Sequence, residues 1–382
     1  MSESVRHLYV HLPFCAHRCG YCDFVTVVGR PGQHAAYVDG LLAELEHERD
    51  LLAPELETVF FGGGTPTFTE PRELERLLSA LPSAPEVTVE ANPETVTPEL
   101  AALLRRSGVN RVSLGAQTFQ PGLLHVLDRV TGPDDVRRAF YHLRDAQFDN
   151  ISLDLIYGIP GQRPSDLAAD IGEALALRPE HLSCYELEAK AGTRFTHAHG
   201  DELRRQAEAM ESYFERVVET LVGAGYRWYE TANFCVRAAD AGGRDLRSRH
   251  NLAYWRGRDY LGLGIGAVST VRDERWRTTR RLGLYLAALR AGQTPPRELE
   301  PLPGEVRRAE RVMLGLRLDE PLPLDAVVTE IDVGALGRLE RLGLVRRIPP
   351  DSAAHAPTGA GDLTLTPPGR LLGDAVTADL LA

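Results

Sequence analysis

Three of the five cysteines, Cys15, Cys19 and Cys22, crowd into eight positions with the spacing C-x3-C-x2-C. Thiolates are soft ligands that select iron–sulfur clusters, zinc or copper(I). A four-iron cubane held by three cysteines keeps one iron without a protein ligand. The amino and carboxylate groups of a small molecule can chelate that iron, and a reduced cluster can then push an electron into a sulfonium C–S bond. The same cysteines with His11 or His17 also compose a tetrahedral zinc set. Tyr21, just before the last cysteine, suits packing or stacking near an adenine.

Other chemistry-bearing residues follow short apolar runs. Gly62-Gly63-Gly64-Thr65-Pro66-Thr67 brings backbone close to a ligand that Thr65 can bond, or simply makes a tight loop. Glu90-Ala91-Asn92-Pro93, Gln117 and Asp154 sit in or at the ends of apolar segments, and Arg129 comes a little after Gln117. Buried polar groups need partners. Mutual satisfaction, for instance an Asp154–Arg129 pair, would serve. So would S-adenosylmethionine (SAM), which offers a carboxylate for Arg129, an amino group for a carboxylate or backbone carbonyl, and ribose hydroxyls for Gln117 or Asp154. Further on, His250, Tyr254 and Trp255 could supply an axial imidazole and an apolar wall to heme. Packing of the two aromatics and a turn cap at His250 explain the same residues. His11 and Cys184 are weaker candidates for a heme ligand, and Cys235 has no assigned role.

The elements that must position these groups are βα units. Six strands are expected at 8–12, 58–61, 87–91, 111–115, 151–157 and 181–187, alternating with amphipathic helices. The first helix carries Val38, Leu41, Leu42 and Leu45 and is closed by Pro54. Leu74, Leu77, Leu78 and Leu81 mark the second. Thr97 and Pro98 cap and open the third, Ser165 caps another, and Leu203, Ala207, Met210, Phe214 and Val217 mark one last helix. Alternation with short links implies an α/β fold with a parallel sheet and right-handed crossovers, either an incomplete barrel or a doubly wound sheet.

The chain divides into 1–225, a β-rich extension over 226–300, and a third unit over 301–382. In the last, helices near 305–318 and 333–342 and a hairpin through 344–347 and 363–366 suggest a winged-helix-like domain. From 304 onward it has nine arginines against twelve acidic residues, so DNA binding is not expected.

The totals exclude several classes. The 382 residues are 43% hydrophobic and 25% charged, as in ordinary globular proteins. A net charge of -11 argues against a nucleic-acid partner. Lys190 is the only lysine. MSESVRHLYV lacks a secretory pattern, and the longest membrane-span candidate, 261–271, is interrupted by Gly262, Gly264 and Gly266. Five cysteines do not make a disulfide framework, so a reducing, cytoplasmic setting is expected, with a transient membrane-associated partner still compatible.

The stretches YVHLPFCAHRCGYCDF, VFFGGGTPT, VEANPETV, RVSLGAQTF, DLIYGIPGQ and SRHNLAYWRGRDYLGLGIGA together resemble the radical-SAM proteins grouped around oxygen-independent coproporphyrinogen III oxidase. They spread over residues 9–267. The resemblance implies an incomplete (β/α)6 radical-SAM barrel and a 4Fe–4S cluster on Cys15, Cys19 and Cys22. It also implies SAM contacts at Tyr9, Tyr21, Gly63, Gly64, Thr65, Glu90, Gln117, Arg129 and Asp154. Two departures select a branch. The oxidases carry a further cysteine where Phe24 stands here, and a long segment before the triplet where this chain has 14 residues. Both features, with His250-Asn251-Leu252-Ala253-Tyr254-Trp255, are similar to the HemW branch, described as heme chaperones. That branch implies heme as cargo for an unidentified acceptor protein. The oxidase side implies radical enzymology instead: coproporphyrinogen III decarboxylation, or a radical methylation or cyclopropanation.

Overall fold

The computed structural model describes residues 4–190, 194–349 and 361–381. Strand β1 (His7–Leu12) runs into β2 (Phe14–Cys15), which pairs in parallel with β3 (Val27–Val28). The βα alternation then follows: α1 (His34–His47), β4 (Thr58–Gly63), α2 (Pro71–Ala80), β5 (Glu86–Ala91), α3 (Pro98–Arg106), β6 (Arg111–Gln117), α4 (Pro121–Val126), α5 (Pro133–Asp145), β7 (Ile151–Tyr157), α6 (Pro164–Leu177), β8 (His181–Glu186), α7 (Arg194–Ala207) and α8 (Met210–Gly223). Helices α2 to α6 each open on proline, whose fixed φ suits the first turn and whose missing N–H costs nothing there.

The six expected strands, β1, β4, β5, β6, β7 and β8, pair in parallel and in chain order. That order decides between the two architectures. A doubly wound sheet reverses strand order at a switch point, whereas a sequential run with right-handed crossovers keeps its helices on one face, as a barrel does. Strand alternation agrees. Leu8, Val10, Val59, Phe61, Val89, Val112, Leu114, Leu153, Leu155 and Leu182 belong to the main apolar core. The intervening residues, among them His7, Thr58, Glu86, Glu90, Arg111, Ser113, Ser152, Asp154 and His181, make a polar interior.

Beyond α8 come β9 (Tyr226–Trp228), β10 (Asn233–Val236), α9 (Arg249–Trp255), β11 (Leu261–Leu263), β12 (Val268–Val271), β13 (Glu274–Thr278), α10 (Leu282–Arg290) and β14 (Arg297–Pro301). Three of these strands extend the main sheet: β11 lies parallel to β1, and β10 then β9 continue antiparallel from β8. The nine-stranded sheet therefore begins at β11 and ends at β9, and no pairing among the described residues joins these edges. Strands β12, β13 and β14 form a separate antiparallel sheet.

The C-terminal unit holds α11 (Gly304–Gly315), β15 (Leu322–Pro323), α12 (Val333–Arg341), β16 (Val345–Ile348), β17 (Asp362–Leu365), α13 (Pro367–Leu371) and α14 (Gly373–Leu380). Its own apolar core gathers Val312, Leu336, Leu339, Leu363 and Leu380. The helices accompany a three-stranded antiparallel sheet in the order β15–β17–β16. The loop read in 348–360 lies largely outside the described residues.

Local details differ from expectation at three places. Thr97 caps α3 as expected, accepting from Leu100 N at 3.2 Å, but α6 is capped by Asp166, which accepts from Arg163 N at 2.9 Å, and not by Ser165. The run carrying Leu203 and Val217 breaks at residues 208–209 into α7 and α8. Helix α1 ends at His47, well before Pro54, and a 3-10 turn at Arg49–Leu51 intervenes. Among the described residues no helix is long and apolar enough to cross a membrane.

Candidate metal centre

Cys15 lies at the end of β2, buried, with Cys19 and Cys22 half-buried on the loop that follows. The loop is held by backbone bonds: Gly64 N donates to Leu12 O at 2.8 Å, Thr65 N to Phe14 O at 2.9 Å and Cys22 N to Cys19 O at 3.2 Å. A Cβ on Gly64 would lie 2.5 Å from the Pro13 carbonyl, so only glycine lets the two backbones meet. Gly63, at φ +113°, faces the His11 ring in the same way. The space these glycines leave is filled by neighbouring protein, which fixes the cysteine loop to the end of β4.

Hydrogen bonds join two of the three thiols through the barrel mouth. Thr65 Oγ1 sits 3.5 Å from Cys15 Sγ. Asn92 Nδ2 donates to Thr65 Oγ1 at 3.1 Å. Arg129 Nη2 donates to Asn92 Oδ1 and to Gly115 O, each at 3.1 Å, and Arg129 Nη1 donates to Cys19 Sγ at 3.6 Å. Arg129 Nε is buried without a partner. Gln117 stands beside this chain at φ +66°, where β6 bulges against β7. A non-glycine residue held in the left-handed region is strained backbone, and such strain gathers at functional sites.

Two buried carboxyls line the adjacent interior. Burial, with Asp154 nearby, pushes Glu90 up to about 7, opposed by the Gly63 N–H, which donates to Glu90 Oε2 at 3.3 Å. Burial also raises Asp154, opposed by the hydroxyls of Ser183, Ser113 and Ser152. Ser113 Oγ lies 3.0 Å from both Asp154 oxygens. The Asp154–Arg129 pair is therefore not the arrangement found; serines bond Asp154, while Asn92, Gly115 and Cys19 take the Nη atoms of Arg129 and leave its Nε open. Tyr21 packs next to the loop against the apolar cluster that contains Leu127, Ile159 and Phe195. Tyr9 donates or accepts at His11 Nδ1, 3.0 Å away, and stacks on Phe60.

The donor set fits a cluster better than a zinc ion. His11 has both ring nitrogens engaged, Nδ1 by Tyr9 and Nε2 by Val25 O at 2.8 Å, and burial pushes it down to about 4. His17 points out on the exposed part of the loop. A cubane places each thiolate on a different iron and so asks for three separated sulfurs. Burial raises Cys15 to about 11, so its thiol ionises only when a metal takes the sulfur.

His250 lies elsewhere. It is 1% exposed at the opposite end of the strands, near Thr58, the first residue of β4. Its Nδ1 is 2.8 Å from Thr58 Oγ1 and its Nε2 is 2.8 Å from Tyr254 OH, and it stacks on Phe60. Glu86 accepts from the backbone N–H groups of Arg249 and His250 at 3.0 Å each, holding the start of α9 against the barrel. Burial, with His7 and Arg111 nearby, pushes His250 down to about 3, so it stays neutral. Trp255, at the far end of α9, faces a different space. Cys184 packs in the main core, and Cys235 packs with Tyr229, Leu246 and Leu252.

Sequence reasoning passed over Asn92 as a site residue, although it stands in the strand-end run with Glu90; its role depends on Thr65 and Arg129, distant in the chain. Ser113, Ser152 and Ser183 were missed as well. Their signal was alternation, which turns them to the same side of the sheet as Asp154.

A barrel of parallel βα units with a three-cysteine loop after its first strand defines a radical-SAM protein, and residues 9–174 match the model of the Radical SAM superfamily. The heme chaperone HemW of Mycobacterium tuberculosis is 35% identical over 390 residues, spanning 98% of this chain and 94% of that protein. HemW of Bacillus subtilis is 35% identical over 82% of this chain and 83% of its own length. The coproporphyrinogen III oxidase HemN of Escherichia coli shares the fold, with a TM-score of 0.75 and 22% identity, covering 100% of this chain and 91% of that one. The chain belongs to the HemW family of radical-SAM proteins.

Proposed function

We propose that this chain is a heme chaperone that binds heme, carries a SAM-ligated 4Fe–4S cluster on Cys15, Cys19 and Cys22, and passes the heme to an acceptor protein. The observation that carries this is the similarity to HemW heme chaperones along 98% of the chain, rather than across the barrel alone. Phe24, 65% exposed, supports it: the position where the oxidases place a further cysteine has no sulfur.

Within this function the chain's own residues have distinct tasks. Cys15, Cys19 and Cys22 hold the cluster, which when bound supplies one-electron chemistry to a sulfonium. Thr65 and Arg129 bond two of the sulfurs and lower the cost of their charge. The unpartnered Arg129 Nε and the buried Glu90 carboxyl suit the carboxylate and amino group of SAM. Asp154 and Gln117 suit its ribose hydroxyls, and Tyr9, Tyr21, Gly63 and Gly64 complete the lining.

The test is an equilibrium titration of heme into anaerobically reconstituted protein, beside an assay for coproporphyrinogen III consumption. Saturation near one heme per chain with no consumption is expected. Consumption of coproporphyrinogen III with deoxyadenosine release, and no saturable heme binding, would overturn the proposal.

A further inference from the structure

A cavity of about 320 Å³ lies where the C-terminal unit meets the β9–β10 turn and the end of α9. Its wall includes Trp228, Trp255, Met313, Leu381, Arg317 and Arg370. It is distant in sequence from the cysteine loop and shares no lining residue with it. Most of the wall is aliphatic or aromatic, as in sites for flat organic ligands. Met313 is 52% exposed, so the apolar wall reaches the surface.

The polar groups in this wall are incompletely used. Arg370 lies 3.7 Å over the Trp228 ring and donates from Nη1 to Trp228 O at 2.8 Å, but its Nη2 is buried without a partner. Arg317 lies 4.4 Å over the Trp255 ring and reaches Glu230 at 3.6 Å, but its Nε has no partner. Trp255 Nε1 is also buried and unpartnered. Three unused donors lie buried in the wall of one apolar cavity, which is costly, and a turn of the Arg317 and Arg370 side chains would bring theirs to acceptors supplied from outside. Asp374 on the same wall limits its cationic character and favours a ligand with its charge at one edge.

We infer that this cavity is the cargo site, taking a porphyrin by its carboxylate edge, with Arg317, Arg370 and the Trp255 indole N–H binding the carboxylates and Met313 and Leu381 packing the ring. The inference rests on the heme-chaperone reading and places its cargo away from His250. A cavity of this size covers part of a porphyrin and leaves the rest accessible, which suits a carrier that must hand its ligand on. Among the lining residues Met313 alone is of a type that ligates heme iron, through a thioether.

The test uses full-length, cluster-loaded protein titrated with heme and with heme dimethyl ester, whose carboxylates are blocked. Variants are Ala378→Trp, an exposed position of α14 on the cavity wall where an indole fills the space, and Arg317→Leu. Each substitution, and the ester with wild type, is expected to weaken binding about tenfold, as loss of a charged hydrogen bond or of the cavity would. Unchanged far-UV circular dichroism and an unchanged unfolding midpoint show that the variants, including the C-terminal unit with its own core, are folded. Heme binding that neither substitution nor esterification alters overturns the cavity and leaves the chaperone reading standing. No saturable heme binding by wild type overturns both.

Discussion

Asn92 accepts a hydrogen bond from Arg129 at 3.1 Å while its own amide donates to Thr65 at the same distance. One side chain at the end of β5 thereby ties the residue beside Cys15 to the residue beside Cys19. Asn92→Ala removes both bonds and leaves a buried guanidinium short of an acceptor, a loss of about 1–3 kcal/mol. Calorimetric titration of SAM into the anaerobic variant should show affinity about tenfold lower, with iron and sulfide contents unchanged. Unchanged affinity would mean that Arg129 is positioned without Asn92.

The five cysteines should separate cleanly by iron content. Alanine at Cys15, Cys19 or Cys22 is expected to take iron from about four per chain to near zero. Alanine at Cys184 or Cys235, buried in apolar packing, should leave it intact and lower stability by about 1 kcal/mol. Full iron retention after a triplet substitution would displace the cluster from this loop.

His250→Ala should act on stability. Two ring nitrogens, each with a partner at 2.8 Å, are lost together with the stack on Phe60, and Thr58 and Tyr254 lose a partner each. A cost of about 2–4 kcal/mol follows from those unmade bonds and the space left behind. Denaturant unfolding measures it. Heme affinity per folded chain should change less than about threefold, well under 1 kcal/mol. Lost heme binding at unchanged stability would instead make His250 a ligand.

Glu90 gives a pH signature. Its folded pKa is raised to about 7 from an ordinary carboxyl value, because burial disfavours the charged form. A raised pKa stabilises the fold fully below the unfolded pKa and loses that contribution as pH rises through the folded one. Compared with Glu90→Gln, which does not titrate, ligand-free wild type should lose about 2 kcal/mol of relative stability between pH 5 and pH 8. Asp154 is raised by the same cause and acts in the same direction. A wild-type to variant difference that is flat with pH would show Glu90 ionised throughout.

What could be read from sequence was local. The cysteine spacing lies within one loop, Thr97-Pro98 is a cap and first turn in adjacent residues, and Leu363 and Leu365 alternate into their core as an isolated strand would. What escaped depends on distant chain. Leu261–Leu263 is too short and glycine-broken to announce itself as the parallel neighbour of β1. The left-handed Gln117 carries no glycine to mark it. The partners of His250 come from Thr58 in β4 and Tyr254 in its own helix, and only the folded barrel buries all three together.

Delivery of heme is the most direct trial of chaperone function. Heme-loaded, cluster-intact protein is mixed with rising concentrations of an apo-hemoprotein, and the transfer rate is followed by absorbance. Hand-over through a protein complex predicts a rate that climbs with acceptor concentration before it levels. A rate fixed at the spontaneous dissociation of heme, whatever the acceptor concentration, would contradict it.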